Sequence, residues 1–137
     1  MEEFAHFSAS IVKFLAYLLV ALALAGSFLF AYMRVTPYNE LELVQKGNMA
    51  AALNMVGAFL GFCAPLASTV AHSISLLDVV IWAIVALIVQ ILVHFACRFI
   101  VPGLVRLIAQ EGNVAAGALG GGLALGAGIL NAACLTY

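Results

Sequence analysis

Charge is what this sequence has least of. Five Lys and Arg with six Asp and Glu amount to 8% of its 137 residues, against about a quarter in water-soluble proteins. So little charge cannot cover a soluble domain of this size. With 66% hydrophobic residues and a mean hydropathy of +1.21, the chain reads as a membrane protein. A formal net charge of -1 supplies no basic groove, which excludes nucleic acid as a partner. Cysteine is also scarce. Cys63, Cys97 and Cys134 stand far apart in apolar sequence without the spacing of a zinc site, so they read as reduced, small apolar residues and no metal is expected. There is no Gly-x-Gly-x-x-Gly turn after a strand, no Walker loop, no His-Glu-x-x-His and no nucleophile elbow, so neither an enzyme nor a cofactor is expected. The strict alternation that marks a membrane barrel is missing too.

What the chain does have is four long apolar runs, each near the roughly 20 residues that cross a hydrocarbon core. They predict spans at about 14–33, 49–70, 79–97 and 114–137. The N-terminus is acidic where a cleaved signal is positive, and the first run continues past the small residues at 21–25, so span one is expected to be retained. Pro65 is expected to kink or end span two. The short turn before span three makes spans two and three antiparallel neighbours.

The chain also repeats itself. At a constant offset of 65 residues Pro37 falls on Pro102, Gln45 on Gln110, Gly47 on Gly112, Asn48 on Asn113, Ala50 on Ala115 and Ala51 on Ala116. The register continues through Gly57, Leu60, Gly61 and Ala67 onto Gly122, Leu125, Gly126 and Ala132. Residues 1–72 and 73–137 therefore read as one two-helix unit used twice, and the fold class as an all-α integral membrane protein built from a parallel tandem repeat. Pro37 and Pro102 end the preceding spans and suit the first turn of a new helix. Gly47 and Gly112 can close that helix in the left-handed conformation, and Asn48 and Asn113 can cap the next. Between break and restart, Tyr38, Leu41 and Val44, with Leu104, Leu107 and Ile108 in the second copy, recur at helical spacing. That pattern fits a short amphipathic connector in the membrane interface, with a plain polar loop as the alternative.

Arg34, Lys46, Arg98 and Arg106 lie at the two connectors, whereas Lys13 is alone on the opposite side. The positive-inside rule then places the connectors in the cytoplasm and both termini outside. Lys13 and Asp78 are related by the same offset and are expected to snorkel, each to its own interface. Helices in lipid associate through small residues, and Gly57/Gly61, Gly117/Gly121 and Gly122/Gly126 form three Gly-x-x-x-Gly pairs. Span four is small on nearly every side, which points to a homo-oligomer as well as to packing within one chain.

Asn54, Gln90, His94 and Asn131 are the polar groups inside the spans, and each should face protein or water. Gln90 and His94 share a face of span three. Counted along their helices, His94 and Asn54 lie about 10 and 8 Å from the connector side, so the two could meet. Two readings stay open: interhelical hydrogen bonds, or the lining of a hydrated path. No acidic residue is placed at membrane depth to complete such a path.

The Thr36-Pro-x-x-Glu40 element, the twin Gly-Asn-x-Ala-Ala motifs, Pro65-Leu-Ala67 and Leu130-Asn-Ala-Ala133 together resemble the YjfL-like family of bacterial inner-membrane proteins, over essentially the whole chain. The resemblance implies four spans in the inner membrane, no established activity, and a neighbourhood of envelope-stress and membrane-maintenance genes. It therefore implies the bilayer and membrane or envelope-stress proteins as partners. The second copy departs from the pattern, with Val101 and Val105 in place of Thr36 and Glu40. The function expected is a non-catalytic, self-assembling, membrane-organising protein; the alternative is a small oligomeric channel or transporter.

Overall fold

Prolines and glycines set the breaks between helices in the computed structural model, which describes residues 1–135. Helix α1 runs Glu2–Val35 and stops where Thr36, at ψ 137°, precedes Pro37, because the proline ring pushes the residue before it out of the helical region. Helix α2, Glu40–Gln45, starts only after Asn39, whose Oδ1 accepts from the Glu42 amide at 3.2 Å. Gly47, at φ +83°, turns the chain, and Asn48 caps α3, Met49–His72, by accepting from the Ala51 amide at 3.0 Å. Helix α4, Leu76–Ile100, ends at an extended Val101 before Pro102. Gly103, at φ +75°, leads into α5, Leu104–Ala109; Gly112, at φ +58°, and the Asn113 cap on Ala116 then open α6, Val114–Cys134. Pro37 and Pro102 thus act as stops, and the first-turn role expected of them passes to Glu40 and Leu104.

Four of these helices, α1, α3, α4 and α6, are long and apolar enough to cross a membrane, and the described residues contain no strand. Their bounds differ from the apolar runs. The acidic N-terminus is helical from Glu2, so α1 has 34 residues and is about 51 Å long, well beyond a hydrocarbon core of about 30 Å. Pro65 does not end α3. The Thr69 hydroxyl donates to the Pro65 carbonyl at 2.6 Å, and the helix continues to His72. The last two residues of the predicted fourth span, Thr136 and Tyr137, lie outside the described residues.

Helix α3 is the hub, packed on α6, α4 and α1. It lies beside α6 and runs in the same direction, since Ala50 meets Gly117 near one end and the Ser68 hydroxyl donates to the Ala132 carbonyl at 3.2 Å near the other. The seam is backbone against backbone. A Cβ on Gly57 would overlap Gly121, one on Gly117 would overlap Ala50, and one on Gly61 would overlap Ala124 and the Gln90 amide. Of the six glycines expected at interfaces, Gly57, Gly61, Gly117 and Gly121 are in this seam; Gly122 and Gly126 have open space around them. Gly120 and Gly128, not expected, are in it as well. Gly128 sits against the Gly61 carbonyl, the acceptor that loses its intrahelical donor because Pro65 has no N–H. Toward the connectors, Ala50, Ala51, Cys97, Leu104, Ile108 and Ala116 form one apolar cluster. Deeper in, Phe28 stacks on Phe62 with centroids 4.6 Å apart and ties α1 to α3.

Candidate functional site

Buried polar side chains gather where α1, α2, α3 and α4 meet beneath the first connector. Thr36, Glu40, Asn54 and His94 are all buried there, and Glu40 is only 1% exposed. The chain break at Pro37 makes this possible. It folds the start of α2 back under the end of α1, where the Thr36 hydroxyl lies between the Tyr32 carbonyl, which accepts from it at 3.1 Å, and the Glu40 carboxyl, with which it makes a short hydrogen bond. Asn54 donates to the Tyr32 hydroxyl at 2.7 Å and reaches the Tyr38 hydroxyl at 3.5 Å. Tyr32 in turn meets the His94 ring edge-on, with centroids 5.5 Å apart. The His94 Nε2 is buried without a hydrogen-bond partner among the described residues. A cleft of about 490 Å³, lined by Arg34, Thr36, Pro37, Tyr38 and Glu40 among others, opens beside the cluster.

The electrostatics follow from burial. Desolvation raises the Glu40 carboxyl above the usual carboxylate range, partly offset by the hydrogen bond from Thr36. Burial also pushes the Tyr38 phenol up to about 12, with the neighbouring Glu40 charge adding to the rise. Glu42, two residues along and in solvent, shows the contrast: the Lys46 ammonium at 2.7 Å holds its carboxyl below the usual range. The ion pairs Lys46–Glu42 and Arg106–Glu111 are both exposed, and neither reaches Glu40.

The sequence matches of the chain bear on this arrangement. The family described as Domain of Unknown Function, DUF350, matches residues 6–135. The chain belongs to the DUF350 family. It is 39% identical over 132 residues to the UPF0719 inner membrane protein YjfL of Escherichia coli strain K12, covering 96% of this chain and 99% of that one. The UPF0719 transmembrane protein YshE of Bacillus subtilis strain 168 is 29% identical over 92 residues, covering 67% of this chain and 69% of its own. No solved structure matches this DUF350 chain. It is a bacterial membrane protein of a family without an assigned role.

Of the four polar residues singled out from the sequence, the DUF350 fold groups two through a third party. Asn54 and His94 both touch Tyr32. Gln90 is used elsewhere: its amide donates to the Ala58 carbonyl at 3.1 Å and the Ala124 carbonyl at 3.0 Å, fastening α4 to both helices of the glycine seam. Asn131 is half-buried on α6 and stands about 10 Å further along that helix than Ala124, so it joins neither group. Residues that were not expected as site members are Tyr32, Thr36, Tyr38 and Glu40. The signal for them was the Thr36/Glu40 pair, four residues apart, matched by two valines, Val101 and Val105, at the 65-residue offset. Glu40 is buried in the connector helix α2, outside the four candidate spans, so the expectation that no acidic residue lies at membrane depth is untouched by it.

Proposed function

We propose that the protein is a non-catalytic, membrane-organising protein that self-associates through the open face of its α3–α6 seam. The observation that carries this reading is the free surface at Gly122 and Gly126. Both belong to a Gly-x-x-x-Gly pair, both have open space where the seam glycines touch backbone, and α6 has fewer spanning neighbours than α3. Beside them lies a shallow apolar groove of about 220 Å³, lined by Val56 and Leu60 of α3 and by Ala118 and Leu125 of α6. Small residues that allow close backbone approach are what drives helices together in lipid. The reading takes residues 1–72 and 73–137 as two copies of one unit, with the connectors in the cytoplasm, both termini periplasmic, and an accessory role in envelope stress.

The test is the assembly state of the full chain in lipid nanodiscs, read by subunit photobleaching. Gly122→Leu combined with Gly126→Leu should convert the assembly to monomer while the helical content stays unchanged. An assembly that persists in the double variant would sink the proposal.

One observation favours a second reading, a small channel or transporter. Glu40 supplies the buried acidic group that a proton or cation path needs, and Asn54, Tyr32 and His94 continue inward from it. Proton flux into liposomes that is lost in Glu40→Gln would decide for this reading; absence of flux in the unaltered protein would decide against it.

A further inference from the structure

The end of the bundle opposite the connectors holds a feature that self-association does not use. Phe28 and Tyr32 are the buried residues of α1, both in its connector-side part; toward its N-terminus the helix leaves a groove between itself and α3. The deep part of this groove, about 390 Å³, is floored by Ala21, Ala25 and Ala67 and walled by Leu22, Phe59 and Leu66, with almost no polar surface. Its mouth, about 400 Å³, carries Ser10, Lys13, Tyr17 and Ser73. Val70 and Ala71 line both parts, so the two adjoin along α3.

The dimensions are those of one leaflet. From Lys13 to Ala25 is about 18 Å along the helix, beside about 15 Å for half of a hydrocarbon core. The alanines make the room; a larger side chain at any of these positions would fill it. At the interface the groove turns cationic. Lys13 is the one Lys or Arg at this end of the molecule, and its ammonium stands 5.9 Å from the Tyr17 ring centroid. The Ser73 hydroxyl oxygen nearby is buried without a hydrogen-bond partner among the described residues.

We propose that this groove binds a single anionic phospholipid, an acyl chain lying along the alanines and the phosphate held by the Lys13 ammonium at the mouth that Ser10 and Ser73 also line. The ligand class follows from the two ends together. An apolar channel one leaflet long selects a chain, and a single ammonium at its mouth selects a phosphate on a lipid of net negative charge. Unselective solvation by bulk lipid would show neither a fixed stoichiometry nor a headgroup preference.

The experiment is native mass spectrometry of the full chain released from nanodiscs of equal phosphatidylglycerol and phosphatidylcholine. The unaltered protein should retain one lipid, with phosphatidylglycerol preferred about fivefold, the worth of roughly one cation near an anionic surface. Lys13→Gln should retain a lipid but lose the preference. Ala67→Leu, at an exposed position where the added bulk meets the groove and not the core, should lose the retained lipid altogether. Circular dichroism of each variant checks that it is folded. Equal retention of the two lipids by the unaltered protein, a preference that survives Lys13→Gln, or undiminished retention in folded Ala67→Leu would each overturn the proposal.

Discussion

Glu40 shows how a membrane interface inverts the usual rule for reading a side chain. In the six-residue α2 the apolar residues Leu41 and Val44 face outward, 52% and 38% exposed, while the carboxylate is turned in. A soluble amphipathic helix would do the reverse. At the bilayer edge the apolar face can be left to lipid, and the hydrogen-bonding groups of the protein, here Thr36 and the amide of α2, become the better partner for the acid. The Thr36/Glu40 spacing was therefore legible in the sequence, but its burial was not. The stability consequence has a definite sign. Because burial raises the folded-state value of Glu40, the folded chain favours the protonated form; its contribution is full below the ordinary carboxylate value and is lost as pH rises through the raised one. Thermal unfolding in detergent should therefore show a midpoint that falls as pH rises above the ordinary carboxylate value, and a flatter profile for Glu40→Gln. An identical slope in the two proteins would show that Glu40 is not the titrating group.

At the scale of the helix, the seam between α3 and α6 explains why a Gly-x-x-x-Gly pattern identifies a sticky helix better than it identifies the contact. Small residues recur on nearly every side of α6, so the sequence offered several possible faces. The choice was made by α3, whose Ala50, Gly57 and Gly61 fix which row lies opposite: Gly117, Gly121, Ala124 and Gly128. The two classes of glycine should respond oppositely to one methyl group. Gly121→Ala and Gly128→Ala place a Cβ on backbone and should destabilise the bundle by about 1–3 kcal/mol, as overpacking does. Gly122→Ala and Gly126→Ala meet open space within one chain and should leave the monomeric bundle unchanged or stabilised by up to about 1 kcal/mol, the helix preference for alanine over glycine. Unfolding titrations in mixed micelles measure both, and equal responses from the two pairs would contradict the seam. Pro65 teaches a related lesson. Its missing amide was read as a break, yet its effect is to free the Gly61 carbonyl at the place where α6 comes closest.

For the molecule as a whole, four apolar helices and two capped connectors could be read from composition, run length and the twin Gly-Asn motifs. The asymmetry between the two halves could not. At the 65-residue offset Tyr32, Thr36, Tyr38, Glu40 and Asn54 correspond to Cys97, Val101, Gly103, Val105 and Leu119, so the polar side chains that the first half contributes to the cluster have no polar counterpart in the second. A constant offset reports what the two stretches share, and this site is built from residues that differ between them. The direction of insertion is open to a direct check. With both connectors cytoplasmic, a reporter active only in the periplasm should work when fused after Tyr137 and one active only in the cytoplasm should not; the opposite pair of results would reverse the topology.

The parallel seam also sets an order of events during biogenesis. The Ser68 hydroxyl and its acceptor Ala132 are 64 residues apart, so α3 is translated about 3–13 s before its partner, at roughly 5–20 residues per second. Through that interval Asn54 and the carbonyl left free by Pro65 have no α6 beside them. Of the four candidate spans, α6 is the least hydrophobic, with a hydropathy of 1.5 against 2.8 for α4. The last helix to arrive is thus the one with most to gain from docking, and a nascent chain that stalls before it leaves α3 with a glycine face and no cover. It is at this step, before the bundle closes, that insertases and quality-control proteases would meet the protein.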